Sequence, residues 1–349
     1  MQGINLLTRT DEMITVAITC YNEESYIERA VRSALAFTKP EGEEVEYFVV
    51  DGMSGDKTRS IVQSIQKEHP QLQLLDNPKR YQVFGINLAI EKSRGEFLAW
   101  LGAHAVYPVN YLVELYQTSL RTNAENVGGI LDTLPGSSSY SGHLVQAIST
   151  HRFGVGDSGF RVGHRVEKYT DTVPFGFYKM SVFKKIGTFD ERLIRCQDYE
   201  LNKRIIKHGG KILVNPAVKV TYFNQPSLGK FLKKQILIQG PYNPYAWYVA
   251  PHSFNIRHAT SAVFSAALII GIPLSLFFGW ARILLASVMG FYFLLAIFSS
   301  IQQAIRYKKP ADILILPFSF LAFHLSHGIG VLLGILKLLF QASPVQHQN

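Results

Sequence analysis

Met13-Ile14-Thr15-Val16-Ala17-Ile18-Thr19-Cys20 is an apolar, β-rich run, followed at once by Tyr21-Asn22-Glu23-Glu24, which opens a helical pattern reaching Phe37. Ala30, Ala34 and Leu35 share one face of that helix, and Asn22 is a suitable cap for its start. The unit repeats downstream. Val45–Val50 (VEYFVV) predicts a second strand, ended by Asp51-Gly52, and Thr58–His69 a helix with Ile61, Val62 and Ile65 inward. Leu72–Leu75 reads as a short strand, Gln82–Ser93 as a helix and Glu96–Leu101 (EFLAWL) as a strand. Alternation of strand and helix specifies a mainly parallel sheet covered by helices. Such sheets bind ligands at the carboxyl ends of their strands. Asp51 and Gly102 both fall at such ends.

Working outward, residues 132–170 are rich in Gly, Ser and His and have weak periodicity, which predicts a loop-rich, mobile insert. Thr188–His208 reads as a loop then a helix, and Lys211–Val214 and Val218–Phe223 as two short strands. Leu228–Gln239 (LGKFLKKQILIQ) is a basic amphipathic helix. Its apolar face suits either a core or an interface with anionic lipid. Thr260–Trp280, Ile283–Ile301 and Ile313–Leu336 are apolar segments of membrane-spanning length, and Pro273 and Pro317 are places where a span would break. Lys233, Lys234 and Arg257 precede the first segment, Arg306, Lys308 and Lys309 follow the second, and Arg282 lies between them. The positive-inside rule then puts the soluble domain and the 302–311 loop in the cytoplasm.

The 349 residues exceed one compact domain, and the formal net charge is +9. There is no Lys/Arg-rich run of the nucleic-acid type, so the basic excess points to anionic lipid or a phosphorylated substrate. The two cysteines, Cys20 and Cys196, lack metal-type spacing and read as reduced thiols of a cytosol-facing domain. Met1-Gln2-Gly3-Ile4-Asn5 is unlike a signal peptide.

Asp51 ends a strand before Gly-Met-Ser-Gly-Asp. A strand-end carboxylate accepts from a nucleobase imide N–H, and the Gly turn would let a ligand approach; a turn-forming Asp is the plainer alternative. A second acid, Asp198, lies in Arg195-Cys196-Gln197-Asp198-Tyr199-Glu200-Leu201.

Taken in order, TVAITCYNEESYIERAVRSAL, FVVDGMSGDKTRSIV, FGINLAIEKSRGEFLAWLGAHAVYP, FKKIGTFDERLIRCQDYELNKRI and FHLSHGIGVLLGILK resemble the family 2 glycosyltransferases. DNPKRYQVFGINLAI, NVGG, FGVG and DTVPFGFYK bring the chain nearest the membrane-anchored exopolysaccharide enzymes of the succinoglycan type. The resemblance implies a GT-A type nucleotide-diphospho-sugar transferase domain over 1–226, an amphipathic, interfacial segment over 227–258 and a helical membrane anchor over 259–340. It further implies that the backbone around Ile18 and Thr19, with Tyr21 and Glu23, lines the base pocket and that Asp51 binds the base. Asn87 and Ala103 would border the ribose and diphosphate. Asp198 would be the general base toward the acceptor hydroxyl, which an inverting reaction needs on the acceptor side alone. Glu200 and Arg204 would hold Asp198 in place or be surface helix residues.

The chain departs from the family at three places. Thr19 stands where Pro is usual. The metal motif, Asp-x-Asp or Asp-Ala-His, reads Gly102-Ala103-His104. The helix before the membrane, where relatives carry a diphosphate-supporting Arg, reads Gln235-Ile236-Leu237-Ile238-Gln239-Gly240. Three readings of the second departure stand: a divalent cation (Mn²⁺ or Mg²⁺) held by His104, diphosphate and water; metal-free use of basic residues; or a weakened or inactive enzyme. Lys79, Arg80, Lys233 and Lys234 are candidates to replace the Arg of the third. His143, His151 and His164 are expected to be exposed or to touch the acceptor. His324 and His327, in the third apolar segment, are expected to hydrogen-bond between helices. The function implied is an inverting transferase at a bacterial-type inner membrane. It would take a nucleotide sugar as donor and a polyprenyl-diphosphate-linked saccharide as acceptor. The alternative is a catalytically degenerate scaffold or partner of an active transferase.

Overall fold

The run Met13–Cys20 forms strand β1, buried along its whole length past Met13. It pairs in parallel with β2 (Glu44–Asp51) on one side and β4 (Phe97–Gly102) on the other, and β2 pairs in parallel with β3 (Leu72–Asp76). A strand covered on both faces needs no polar side, which is why β1 and β2 read as continuous apolar runs. Parallel neighbours require crossovers, supplied by helices Ile27–Leu35, Thr58–Glu68 and Gln82–Lys92. The register sets Cys20 opposite Asp51, Asp51 opposite Asp76 and Thr19 opposite Gly102, so these strands end level.

The computed structural model describes residues 13–163 and 165–341, with the side chains of Arg257 and His258 outside that description. The expectations for Met1–Asn5 and His164 fall outside the described residues. Past β4 the pairing turns antiparallel. β5 (Ala105–Val106), β6 (Asn126–Leu134), β7 (Lys168–Tyr169), β8 (Phe177–Lys179) and β9 (Ile212–Phe223) complete the sheet in the order β3-β2-β1-β4-β8-β6-β9-β5, with β7 on β9. β8 runs antiparallel to β4 and to β6, and β5 and β7 run antiparallel to β9. The sheet is therefore mixed. β5, β7 and β8 are too short to carry a readable period. The two strands expected over 211–223 are one strand, β9.

The first helix starts at Ile27, with Tyr26 at the cap position. Asn22 does not cap it. Asn22 has a left-handed φ of 54° and accepts the Gly55 N–H on its side-chain oxygen at 2.9 Å.

The chain divides into two compact units, one comprising the residues up to Asp132 and Gly163–Tyr222, the other Thr133–Val162 and everything from Phe223 on. In the second unit, the stretch expected to be a mobile insert holds a helix, Tyr140–Ser149, buried from Gly142 to its end. A helix buried all round shows no amphipathic period. Leu144, Val145, Ala147 and Ile148 form a core with Phe231, Leu316, Phe320 and Phe323. His143 is buried, not exposed: its Nε2 lies 2.7 Å from Asp312 Oδ2, and Tyr140 donates to Asp312 Oδ1 at 2.6 Å. His151 accepts the Phe153 N–H on Nδ1 and meets Gln302 at 2.8 Å.

The basic helix covers Leu228–Lys234 and continues as a π-helical turn, Gln235–Gln239, into Gly240–Val249. Three further helices, Ile256–Phe277, Gly279–Tyr307 and Asp312–Leu339, are long and apolar enough to cross a membrane. They run unbroken through Pro273 and Pro317. His324 bonds the Phe153 carbonyl and the Tyr292 hydroxyl, each at 2.8 Å, and His327 bonds Ser261 and Asn243 at 2.7 and 3.1 Å. The two histidines therefore tie helices together, as expected from the sequence.

Replacing His143 with Ala strands the Asp312 carboxylate in a fully buried site. Breaking a buried pair from one side costs about 3–5 kcal/mol. A clear drop in the unfolding midpoint of the detergent-solubilised protein is expected, and an unchanged midpoint would contradict the pairing.

Candidate active site

The site is built where β1, β2 and β4 of the first unit end. Asp51, the last residue of β2, is fully buried. Its carboxylate accepts from the Ser54 N–H (2.9 Å) and hydroxyl (2.5 Å) and pairs with Arg59 at 2.9 Å. Arg59 also reaches Asp76 at 2.9 Å, so one guanidinium binds the ends of β2 and β3. Two neighbouring carboxylates repel unless a cation lies between them, and Arg59 is that cation. The Cys20 thiol, pushed well up by burial and then by Asp51, stays protonated and points at Asp51 Oδ1 (3.7 Å).

The loop after β1 is stitched to the loop after β2. The Asn22 N–H donates to Ser54, that of Glu23 to Thr58 and that of Glu24 to Asp56, while Glu24 takes the Lys57 N–H. Tyr21 is more than a third exposed and lies under the Arg80 guanidinium, 5.1 Å from the ring centroid. Gly52 does not leave room for a ligand, as the sequence suggested. A Cβ there would stand 2.5 Å from the Arg80 carbonyl, so the glycine admits the backbone of the 77–81 loop.

Thr19 is buried, and its hydroxyl accepts from Trp100 Nε1 and Gln82 Nε2, each at 3.1 Å. Gln82 in turn accepts from Gln197 at 3.3 Å. Hydrogen bonds thus run from the end of β1 to the residue preceding Asp198, a link that the family's usual Pro would break because it has no hydroxyl.

Gly102 closes β4. Its N–H donates to the Tyr107 hydroxyl (2.7 Å), which returns a bond to the Gly102 carbonyl (3.0 Å). Burial pushes the Tyr107 phenol well up, so it remains neutral and plays both parts. The space beside Gly102 is occupied, because a Cβ there would lie 2.7 Å from the Phe175 ring. Phe175 holds a left-handed φ of 48°, which costs a bulky residue roughly 1–2 kcal/mol. Tyr111 donates to its carbonyl (2.5 Å), and its ring meets Tyr107 edge-on at 5.4 Å. The missing carboxylate has therefore been replaced by an aromatic wall.

Ala103 is buried. His104 is half-exposed and packs on Tyr26 at 4.7 Å, with Nε2 2.8 Å from Glu23 Oε1. Among the described residues, no three His, Cys, Asp or Glu side chains gather as a metal site. Glu23 and His104 are nevertheless both suitable ligands for a Mn²⁺-class ion. The pair fits an ion completed by substrate oxygens and water.

Asp198 occupies the first turn of helix Gln197–Lys207, where the helix dipole favours a carboxylate. The helix is fastened on several sides. Tyr199 and Lys203 reach Asp171 at 3.2 Å each, and Asn202 bonds Asn126 and Thr172. Buried Glu200 takes Arg204 in two bonds of 2.9 and 2.7 Å, and Arg204 also donates to the carbonyls of Ile186 and Thr188. These two residues are anchors for the 186–188 loop and not a solvated surface pair. Asn87, expected beside the ribose, clamps the Phe189 backbone with both amide atoms, at 2.9 and 3.1 Å. Lys79 pairs with Glu191 at 3.4 Å. Gln235 belongs to the second unit, buried in the π-helical turn.

Sequence reasoning missed Arg59, Gln82, Trp100, Phe175 and Gln197. All five lay in stretches already singled out, such as FVVDGMSGDKTRSIV for Arg59 and DTVPFGFYK for Phe175, but none carried a role there. Gln82, Trp100 and Gln197 act through long-range hydrogen bonds that no spacing announces.

Gly102→Asp should cost about 1–3 kcal/mol by overpacking, and Gly102→Asp with Phe175→Leu should cost less than the sum of the single changes, both read from chemical unfolding. Additive losses would dismiss the contact. The Cys196 thiol is raised to about 12, by burial and then by Asp198, which keeps thiolate scarce at pH 8. Iodoacetamide at pH 8 should label both cysteines slowly in the folded protein and quickly in guanidinium, as followed by mass spectrometry.

Residues 15–187 match the family profile described as Glycosyl transferase family 2. The chain is 27% identical over 333 residues to the dolichyl N-acetyl-alpha-D-glucosaminyl phosphate 3-beta-D-2,3-diacetamido-2,3-dideoxy-beta-D-glucuronosyltransferase of Methanococcus voltae, covering 93% of this chain and 97% of that one. It is 30% identical over 224 residues to the succinoglycan biosynthesis protein ExoA of Rhizobium meliloti, covering 64% and 66%. Among solved structures, the mannosyltransferase PcManGT of Pyrobaculum calidifontis, in complex with GDP-Man and Mn²⁺, superposes with a TM-score of 0.58 at 17% identity, over 91% of this chain and 87% of that one. That likeness concerns the GT-A fold. With the mixed sheet and its strand-end site, these matches make the chain a member of the family 2 glycosyltransferases, joined to three helices suited to a membrane.

Proposed function

We propose that the protein is an inverting transferase that moves a sugar from a nucleotide-diphospho-sugar to a lipid-linked saccharide, with Asp198 as the general base. One observation carries this reading. The helix of Asp198 is pinned by Gln197, Tyr199, Glu200, Asn202, Lys203 and Arg204. Its first turn is also tied by Gln82 and Thr19 to the strand end where the donor would sit. A catalytic base must be held to a fraction of an ångström, and such a surround supplies that.

In the reaction, the Asp198 carboxylate takes the proton of the acceptor hydroxyl. The hydroxyl oxygen forms the new bond to the anomeric carbon on the face opposite the donor's diphosphate. The bond from that carbon to the diphosphate breaks, and the nucleoside diphosphate leaves with the electron pair. Tyr21 and the stitched loops would hold the nucleoside, and Asp51, engaged by Ser54 and Arg59, would keep the loop after β2 in place for it. A divalent cation bound at His104 would supply neutralising charge for the leaving diphosphate.

The lipid-linked acceptor rests on the Methanococcus relative, whose name specifies a dolichyl phosphate sugar. It is also supported by a largely apolar cavity of about 480 Å³ in the second unit, lined by Phe153, Phe264, Tyr292 and Phe323. A polyprenyl-diphosphate carrier would suit that room. The basic residues Arg306, Lys308 and Lys309 after the second long helix favour a cytoplasmic catalytic unit on a plasma membrane. Gly102 favours a second reading, a non-catalytic partner of another transferase.

Asp198→Asn should lower transfer to purified lipid-linked acceptors by at least 10³-fold while changing nucleotide affinity, measured calorimetrically, less than threefold. Near wild-type turnover by this variant would remove the base assignment. Absence of any turnover by the wild-type chain across a panel of nucleotide sugars would favour the partner reading.

A further inference from the structure

The family's metal motif places its first carboxylate at the position of Gly102. A side chain there would press on the Phe175 ring, which fills the space into which it would grow. It also shows a carboxylate in the neighbourhood that the motif does not contain. Glu23, from the loop after β1, brings Oε1 to 2.8 Å from Nε2 of His104. We infer that Glu23 supplies through space the carboxylate ligand that residue 102 cannot, so that a divalent cation is held by Glu23 and His104 from two different strand ends. The inference rests on the reading of a nucleotide-diphosphate site at those ends.

Three features support it. The first is spacing. Neighbouring ligand atoms around an octahedral ion with bonds of about 2.1 Å are roughly 3 Å apart, and the observed 2.8 Å is close to that value. Uptake of an ion between the two groups therefore needs the two side chains to turn toward it in place of each other, at a separation they already hold.

The second is rigidity. Ligands that select one ion and one position must themselves be held. The Glu23 N–H is fixed by Thr58 at 2.7 Å, and the residues on either side are fixed by Ser54 and Asp56. The His104 ring packs on Tyr26 at 4.7 Å, and Tyr26 belongs to the same loop as Glu23.

The third is access. The His104 side chain is 45% exposed and that of Glu23 16%, so the pair faces solvent, where a diphosphate can complete the coordination. Asp51, the other acid at these strand ends, is fully buried and already engaged by Arg59 and Ser54. It is spoken for, whereas the Glu23 carboxylate meets a partner that is itself a ligand.

The test uses the full-length protein in detergent. MnCl₂ is titrated in the presence of UDP or GDP, and free Mn²⁺ is read by electron paramagnetic resonance. Wild type should bind Mn²⁺ in a diphosphate-dependent way. Glu23→Gln, nearly isosteric and still able to pair with His104, should weaken Mn²⁺ at least tenfold, as should His104→Ala. Unfolding midpoints in EDTA serve as the fold check and should differ little among the three proteins. Mn²⁺ binding by Glu23→Gln equal to wild type, or no Mn²⁺ binding by wild type, overturns the inference. Calorimetry with UDP and GDP in EDTA separates the two levels. Nucleotide bound without a Glu23-dependent ion removes this inference alone, and no nucleotide bound with or without Mn²⁺ removes the donor-site reading as well.

Discussion

Burial of β1 between β2 and β4, on both faces and both edges, is the constraint from which the rest of the first unit follows. Within such a strand no side chain can meet a polar ligand, so chemistry is displaced to the loops beyond Cys20, Asp51 and Gly102. Parallel pairing levels these ends by register. It also demands crossover helices, and Gln82, Asn87 and Arg59 are all carried on them. The residues that position the site are therefore by-products of the connections that the sheet requires.

The contact between Phe175 and Gly102 shows how such a scaffold absorbs the loss of a functional group. A bulky residue in the left-handed region is strained, and it persists here because Tyr111 holds its carbonyl and Tyr107 flanks its ring. With that ring in place, a side chain at 102 is accommodated only if the ring shifts. Glu23 and His104, coming from separate strand ends, remain as the ligand-type pair. Position in sequence and position in space thus part company at the one motif most often used to recognise a metal site.

Much of the fold was legible because it was local. The apolar runs of β1, β2 and β4, the helices between them and the three long apolar helices each carry their own period or length. The antiparallel part was less so, since β5, β7 and β8 are only two or three residues long. Tyr140–Ser149 was misread as mobile because a helix buried on every side has no polar face to announce it. At the site, Asp51 and Asp198 could be picked out by their frames. The engagement of Asn87 with Phe189, of Thr19 with Trp100, and of Gly52 with the Arg80 carbonyl could not, because each joins segments far apart in the chain. Glu200 and Arg204 were read as holding Asp198 or as surface residues, and the contacts of Arg204 with the 186–188 loop could not be read from their spacing.

The central claim, that a nucleoside diphosphate is gripped by the loops at the ends of β1, β2 and β4, is tested most directly by hydrogen–deuterium exchange of the full-length protein with and without a saturating nucleoside diphosphate. The account predicts slowed exchange in peptides covering Thr19–Glu24, Asp51–Thr58 and Gly102–Val106, with the long apolar helices unaffected. Protection confined to other parts of the chain, with these three loops unchanged, would contradict it.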